Sequence, residues 1–412
     1  MTSVSSVAEP QALLLQLLDP ANRADPYAVY KQFRDRGPMY LPEANLIVFS
    51  AYRDCDEVLR HPSSSADRLK STVAQRLLAD GATARPMGPP GFLFLDPPDH
   101  TRLRKLVSKA FVPKVVSELQ PDIAELVDGL LERIAERGRF DAVSDLAYPL
   151  PVAVICRLLG VPLEDEAEFS RASALLAQAL DPFFAITGEP MQGMDERIQA
   201  GQWLREYLHE LIGQRRSQPG DDLMSRLIAV EESGDQLTEE EIVSTCSLLL
   251  IAGHETTVNL IANAILAMLR NPTQWAALGA DADRAQAVIE ETLRYDPPVQ
   301  LVARIAADDM TIGDSRVVKG DSMMLLLAAA QHDPAEFERP ETFDPDRNTF
   351  RHLAFGRGLH YCLGAPLARL EAAVALSAIT ARFPGARLDG EPIYKRNVTL
   401  RGLSTLSVAV SV

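Results

Sequence analysis

Between residues 115 and 216 apolar positions recur every three or four residues, the spacing of helices that bury one face. It predicts helices over 117–137, 150–159, 163–180 and 192–216, the last two separated by a break at 181–190. Upstream, residues 1–24 read as an N-terminal arm with one short apolar segment, 12–18. Asp25-Pro26 then opens a helix to Arg36, where Gly37-Pro38 stops it. Residues 39–41 and 46–49 read as a small hairpin, and 52–60 as a further helix. Residues 61–95 are polar and then rich in proline and glycine, a long irregular stretch. After Asp96-Pro97-Pro98 a helix continues through Phe111.

A longer helix follows. Thr238 and Glu241 have the spacing of a capping box, and the helix they open persists to Arg270, before Asn271-Pro272. About thirty residues at roughly 1.5 Å each cross a whole domain. Its middle, 246–252, is apolar nearly all round, which places it in the protein centre. Another helix, from about 283, stops before Pro297-Pro298. Short extended runs follow at 299–304, 310–312, 316–318 and 323–328, then a Pro- and Asp-rich meander over 337–347. A last helix covers 366–383, and 388–412 reads as β with a turn at Gly402.

Composition narrows the function. The chain has 412 residues, 47% of them hydrophobic, enough to bury a large core and enclose a cofactor. A net charge of −16 and a pI of about 5.0 argue against nucleic acid or an anionic membrane as partner. Cys55, Cys156, Cys246 and Cys362 are scattered, with no Cys-x-x-Cys pair. That excludes the c-type haem attachment motif and fits a reducing cytoplasm. Residues 1–10 lack a signal-peptide pattern and no run of about eighteen apolar residues occurs, so a cytoplasmic protein without a membrane span is expected.

Three clusters carry candidate chemistry. In Phe355-Gly356-Arg357-Gly358-Leu359-His360-Tyr361-Cys362-Leu363-Gly364-Ala365, one cysteine sits in a glycine-studded loop just ahead of a helix, whose N-terminus favours thiolate. Such a thiolate serves as nucleophile, metal ligand or axial haem ligand; the bland alternative is a small buried hydrophobe. In Ala252-Gly253-His254-Glu255-Thr256-Thr257, Ala252 and Gly253 leave room for a bound group. Glu255 beside Thr256 supplies the parts of a proton relay, unless Thr256 bonds back one turn and Glu255 is merely salt-bridged. His254 reads as a packing residue. His100 and Arg104 share a helical face, as do Glu291 and Arg294, and pairs of this kind are common on solvated helices.

The cysteine loop resembles the haem-ligand loop of the cytochrome P-450 family, matching Phe-Gly-x-Gly-x-His-x-Cys-x-Gly at every position. Asp-Pro-Pro-x-His-x-x-x-Arg at 96–104, Ala-Gly-x-Glu-Thr at 252–256 and Glu-x-x-Arg at 291–294 occur in the family's order, and the resemblance covers residues 20–412. It implies a single, mainly α domain with a smaller β-rich region, and haem b between the long central helix and the cysteine loop. It further implies Cys362 as iron ligand and Glu255 and Thr256 as proton donors to dioxygen. His100 and Arg104 would hold one propionate and Arg304 with His360 the other; Phe355, Gly356 and Ala252 would flank the macrocycle. Phe94, with Phe92 and Leu93, falls in the region that lies over the substrate pocket in the family, and the helix pair 163–180 and 192–216, interrupted at 181–190, corresponds to its mobile lid. Leu248, Ile251, Val299 and Leu400 suit an aliphatic pocket and equally an ordinary core; Arg401 is expected to face that pocket beside Leu400. Glu291 and Arg294 would be structural. The expected activity is insertion of one oxygen atom from dioxygen into a hydrophobic small molecule, by hydroxylation or epoxidation. Electrons would come from ferredoxin and ferredoxin reductase, steered by Arg102, Lys105, Lys109, Lys114 and Arg357. A peroxide-driven peroxygenase and a non-catalytic haem-thiolate sensor are the alternatives.

Overall fold

A computed structural model describes residues 9–81, 88–178, 180–182, 186, 193–232, 237–348 and 351–410. Helices dominate, and the expected hairpin forms with Met39 opposite Val48. It opens a five-stranded sheet in the order Met39–Leu41, Leu46–Phe49, Ser322–Leu325, Val302–Ala306, Ser64–Ser65. Leu46–Phe49 runs parallel to Ser322–Leu325, and the other neighbours are antiparallel. Arg139–Asp141, Ser407–Ala409 and Arg387–Leu388 form a second sheet.

The N-terminal segment is a packed element rather than a loose arm. In helix Glu9–Leu18, Leu13, Leu14 and Leu17 are buried against Tyr30, Phe33, Met324 and Val398. The stretch expected to be irregular contains a helix, Thr72–Ala79, whose cap is Ser71 accepting from the Ala74 N–H at 3.1 Å. The expected strand at 323–328 stops at Leu325, and Leu327–Ala330 turns helical. A short helix, Pro113–Ser117, precedes Gln120–Ala135 where one element was expected. The helix after Asp96-Pro97-Pro98 is α over Asp99–Ser108 and tightens to 3-10 over Lys109–Phe111. Residues 183–185 and 187–190 of the expected break, and 82–87 of the Pro/Gly stretch, lie outside the described residues.

The central helix departs most from expectation. The capping box forms: Thr238 Oγ1 accepts from the Glu241 N–H (3.3 Å) and Glu241 accepts from the Thr238 N–H (2.9 Å). The helix runs over Glu239–Gly253, breaks at His254 and resumes as Glu255–Arg270. At the break, side chains compete for backbone carbonyls. His254 Nδ1 lies 2.6 Å from the Leu250 carbonyl, and the Thr256 and Thr257 hydroxyls donate to Ala252 (2.9 Å) and Gly253 (3.1 Å). By length and composition the whole segment could cross a bilayer, but 67% of its most apolar window is buried inside the protein.

Candidate functional site

The cysteine loop is built by two left-handed glycines. Gly356 and Gly358 have φ of 69° and 65°, and a Cβ on Gly358 would lie 2.8 Å from the Leu59 carbonyl. The Cys362 N–H donates to the Phe355 carbonyl (2.8 Å), folding the loop so that Cys362 stands at the start of helix Ala365–Arg382. Burial pushes the Cys362 thiol up; the Gly364 N–H, Arg104, the Ala365 N–H and Arg369 pull it down.

Beside the loop, cationic and imidazole groups converge. His100 is buried with neither ring nitrogen hydrogen-bonded, and its ring centroid lies 4.2 Å from that of His360, whose Nδ1 is also unpartnered. Burial, then Arg304 and His100, push His360 down to about 3, so its imidazole is neutral. Arg304 is held down to about 10 by burial and by Arg68, which burial also lowers. Arg304 is half-buried and Arg68 exposed. Arg104 donates to the Tyr361 carbonyl, which ties its helix to the cysteine loop.

On the central helix, Ala252, just before the break, is exposed, and Leu248, Ile251, Gly253, Glu255 and Thr256 are half-buried. Glu255 is paired with Lys395 (2.7 Å), which also donates to Asn259 (3.0 Å). Thr256 thus bonds back one turn and Glu255 is salt-bridged, the arrangement that sequence left open. His254 is buried against Phe169, with ring centroids 6.5 Å apart. Gly91 leans on this helix, where a Cβ would sit 2.8 Å from Leu248 Cβ, so Phe92–Phe94 lies alongside it. Phe94 also carries the Arg68 guanidinium 4.9 Å above its ring. Val299 and Leu400 pair through an isolated bridge. Arg401 is not a pocket residue: it is buried, pairs with Asp296 at 2.6 Å and stacks 4.5 Å from the Tyr394 ring.

Glu291 and Arg294 are both wholly buried, in a two-pronged pair at 2.9 and 2.8 Å. Sequence reading missed four groups. Lys395 carries no local signal, because its partner is far away in the chain. Arg68 is equally silent. Glu290, beside Glu291, and Arg369, in the helix after the cysteine, form a bidentate pair of their own (2.6 and 3.0 Å).

The residues present suit an anionic, flat, iron-bearing group. A thiol at a helix N-terminus stands two residues from His360, which adjoins the orphaned ring nitrogens of His100 and arginines without a carboxylate partner among the described residues. The family model of Cytochrome P450 matches residues 12–393. This chain is a cytochrome P450. CYP164A2 of Mycobacterium smegmatis is 68% identical in its ligand-free structure, with a TM-score of 0.93 over 97% of this chain and 100% of that one. With econazole bound it aligns at TM-score 0.94 and 67% identity, over the same shares of each chain. Cytochrome P450 107B1 of Saccharopolyspora erythraea is 38% identical over 406 residues, 96% of this chain and 97% of its own. Vitamin D(3) 25-hydroxylase of Pseudonocardia autotrophica is 38% identical over 395 residues, 94% of each. Like its relatives, this cytochrome P450 uses haem b and is a monooxygenase, taking dioxygen and a small organic substrate.

Proposed function

We propose that Cys362 holds the haem iron and that a bulky apolar molecule is oxidised in the space between Ala252 and the cysteine loop. The observation that carries this reading is the convergence of Arg68, Arg304, His100 and His360, with no acid paired to them among the described residues, beside the one half-buried cysteine. Haem b bound there supplies the binding and activation of dioxygen, with the thiolate donating electron density to iron. Arg304 and His360 bind one propionate, with Arg68 as a further donor, and His100 with Arg104 the other, through charge-assisted hydrogen bonds. Phe355, Gly356 and Ala252 would contact the macrocycle.

Lys395 holds the Glu255 carboxylate beside Thr256. The Thr256 hydroxyl donates to the Ala252 carbonyl, which leaves its oxygen lone pairs free to accept a further hydrogen bond, and a relay through this pair would need Glu255 released from Lys395. Phe94, Leu248, Ile251, Val299 and Leu400 form the apolar wall, and the whole chain works as one domain. The econazole-bound and vitamin D(3)-hydroxylating relatives favour a large, mostly apolar substrate. Glu291 and Arg294 brace the meander 337–347 and so retain the haem.

Electrons arrive in the cytoplasm from ferredoxin, itself reduced by ferredoxin reductase. Lys105, Lys109 and Lys114 are exposed near the cysteine loop and steer it. Arg102 is not part of that patch, because Glu241 and Asp99 neutralise it. Arg357 likewise faces Asp56 at 3.4 Å.

The test is spectroscopic and kinetic. Reduced protein with carbon monoxide should give the Soret band of thiolate-ligated haem, and Cys362→Ala should lose it. Thr256→Ala should lower product formed per electron severalfold while leaving the band intact. Unchanged coupling in that variant would favour the peroxide-driven reading.

A further inference from the structure

We propose that Arg369, locked by Glu290 and His352, is a positioning residue that fixes the cysteine loop and sets how strongly the Cys362 sulfur donates electrons. The inference rests on the reading of Cys362 as iron ligand.

Arg369 reaches Glu290 with both arms of its fork, Nε to Oε1 at 2.6 Å and Nη2 to Oε2 at 3.0 Å. His352 completes the carboxylate's shell. Its Nδ1 accepts from the Ala354 N–H (3.3 Å), so Nε2 carries the proton and donates to Glu290 Oε2 at 2.9 Å. Burial opposes the charge on Glu290, yet His352 and Arg369 hold its carboxyl down at about 2. The guanidinium is therefore fixed from behind.

Its other face meets the loop at two points ahead of the cysteine. The Arg369 guanidinium lies 4.5 Å over the Phe355 ring, and Phe355 offers the carbonyl that takes the Cys362 N–H. Arg369 Nη1 lies 3.4 Å from the hydroxyl of Tyr361, the residue before the cysteine. His352 packs against Phe355 from a third direction, with centroids 5.8 Å apart. Arg104, through the Tyr361 carbonyl, and Arg369 are the cations whose fields favour thiolate at Cys362.

A salt bridge that merely stiffens the loop and one that also sets its field differ in sign. In a stiffening role, loss of either partner loosens the loop in the same way. In a field, the two partners oppose each other: the Arg369 charge favours an added electron on the iron, and the Glu290 charge disfavours it.

The experiment is a redox titration of purified holoenzyme, wild type, Arg369→Gln, Arg369→Lys and Glu290→Gln, with the carbon monoxide band recorded for each. Arg369→Gln should lower the ferrous-to-ferric ratio at fixed potential by about tenfold, a shift of about 59 mV. Glu290→Gln should raise that ratio a few-fold, and Arg369→Lys, which keeps the charge but loses the fork, should fall between wild type and Arg369→Gln. Shifts of the same sign in Arg369→Gln and Glu290→Gln, no shift in Arg369→Gln, or Lys behaving as Gln at 369 overturns the proposal. If Glu290→Gln does not fold, the Gln and Lys variants at 369 decide it alone. A wild-type protein lacking the thiolate band would refute the ligand assignment instead, which the same spectra reveal.

Discussion

Two groups of charge in this molecule differ in whether the polypeptide completes them. Around Glu291 everything is matched. Its carboxylate accepts from Arg294, from the Asp344 N–H (2.8 Å) and from Arg347 Nε (3.2 Å). Arg294 spends its remaining donors on the carbonyls of Gln331, Pro340 and Thr342. Around Arg304 no acid among the described residues forms a pair. The carboxylate whose field reaches Arg304 and His360, that of Asp96, is already taken by Ser65, the Ala66 N–H and Lys70. Buried charge left unpaired is costly. A chain that satisfies one group and leaves the other open has reserved the second for an anion it does not encode, here the haem propionates.

The sharpest way to break that contrast is to open the closed group. Arg294→Leu should cost about 3–5 kcal/mol, because it strands a buried carboxylate. Urea unfolding would read the loss in apo- and holoprotein alike, and a cost below about 1 kcal/mol in either would place the pair outside the folding core. Arg304→Leu should behave differently. Losing a hydrogen bond to a charged group, about 1.5–3 kcal/mol, should speed haem transfer to apomyoglobin roughly 10- to 100-fold. The apoprotein should be as stable as wild type or more so, since Arg68 loses a like-charged neighbour. Equal destabilisation of both forms would show the group to be closed after all.

Glu371 supplies a third case, an acid buried with Oε2 unpartnered. Burial pushes its carboxyl up to about 8 from an ordinary 4.5. Between those values the unfolded chain binds fewer protons than the folded one, so stability should fall as pH rises from 4.5 to 8. Glu371→Gln should remove that slope and gain more than about 1 kcal/mol at the upper end, seen in denaturation midpoints across the range. An unaltered slope would mean that a water or ion already serves Glu371. The smallest effect belongs to the surface. Neutralising Lys105 and Lys109 together should slow reduction by ferredoxin a few-fold at low salt, and the difference should vanish at high salt. Equal rates at low salt would remove these lysines from the docking face.

What was legible in the sequence was what is local. Thr238 and Glu241 announce their capping box, the left-handed Gly356 and Gly358 announce the loop, and Cys362 precedes its helix as spacing implies. The interruption at His254 was hidden because apolar residues surround the helix on every side, leaving no periodicity to fail. The partners of the reactive groups were hidden for a different reason. Lys395 meets Glu255, Arg68 adjoins Arg304, and Arg369 grips Glu290 only after distant segments pack, and no pattern of adjacent residues encodes such meetings. Arg401 was misplaced on the same ground: the tail brings it to Asp296 and away from the pocket.

The parallel pairing of Leu46–Phe49 with Ser322–Leu325 has a consequence for how the protein is made. The hairpin near the N-terminus leaves the ribosome early, yet the strand that covers its open edge follows only after most of the chain. Until then Ile47 and Phe49 present an unpaired apolar edge, a template for contact with other nascent chains. Crowded synthesis and slow translation should therefore reduce the yield of this protein more than its final stability would suggest.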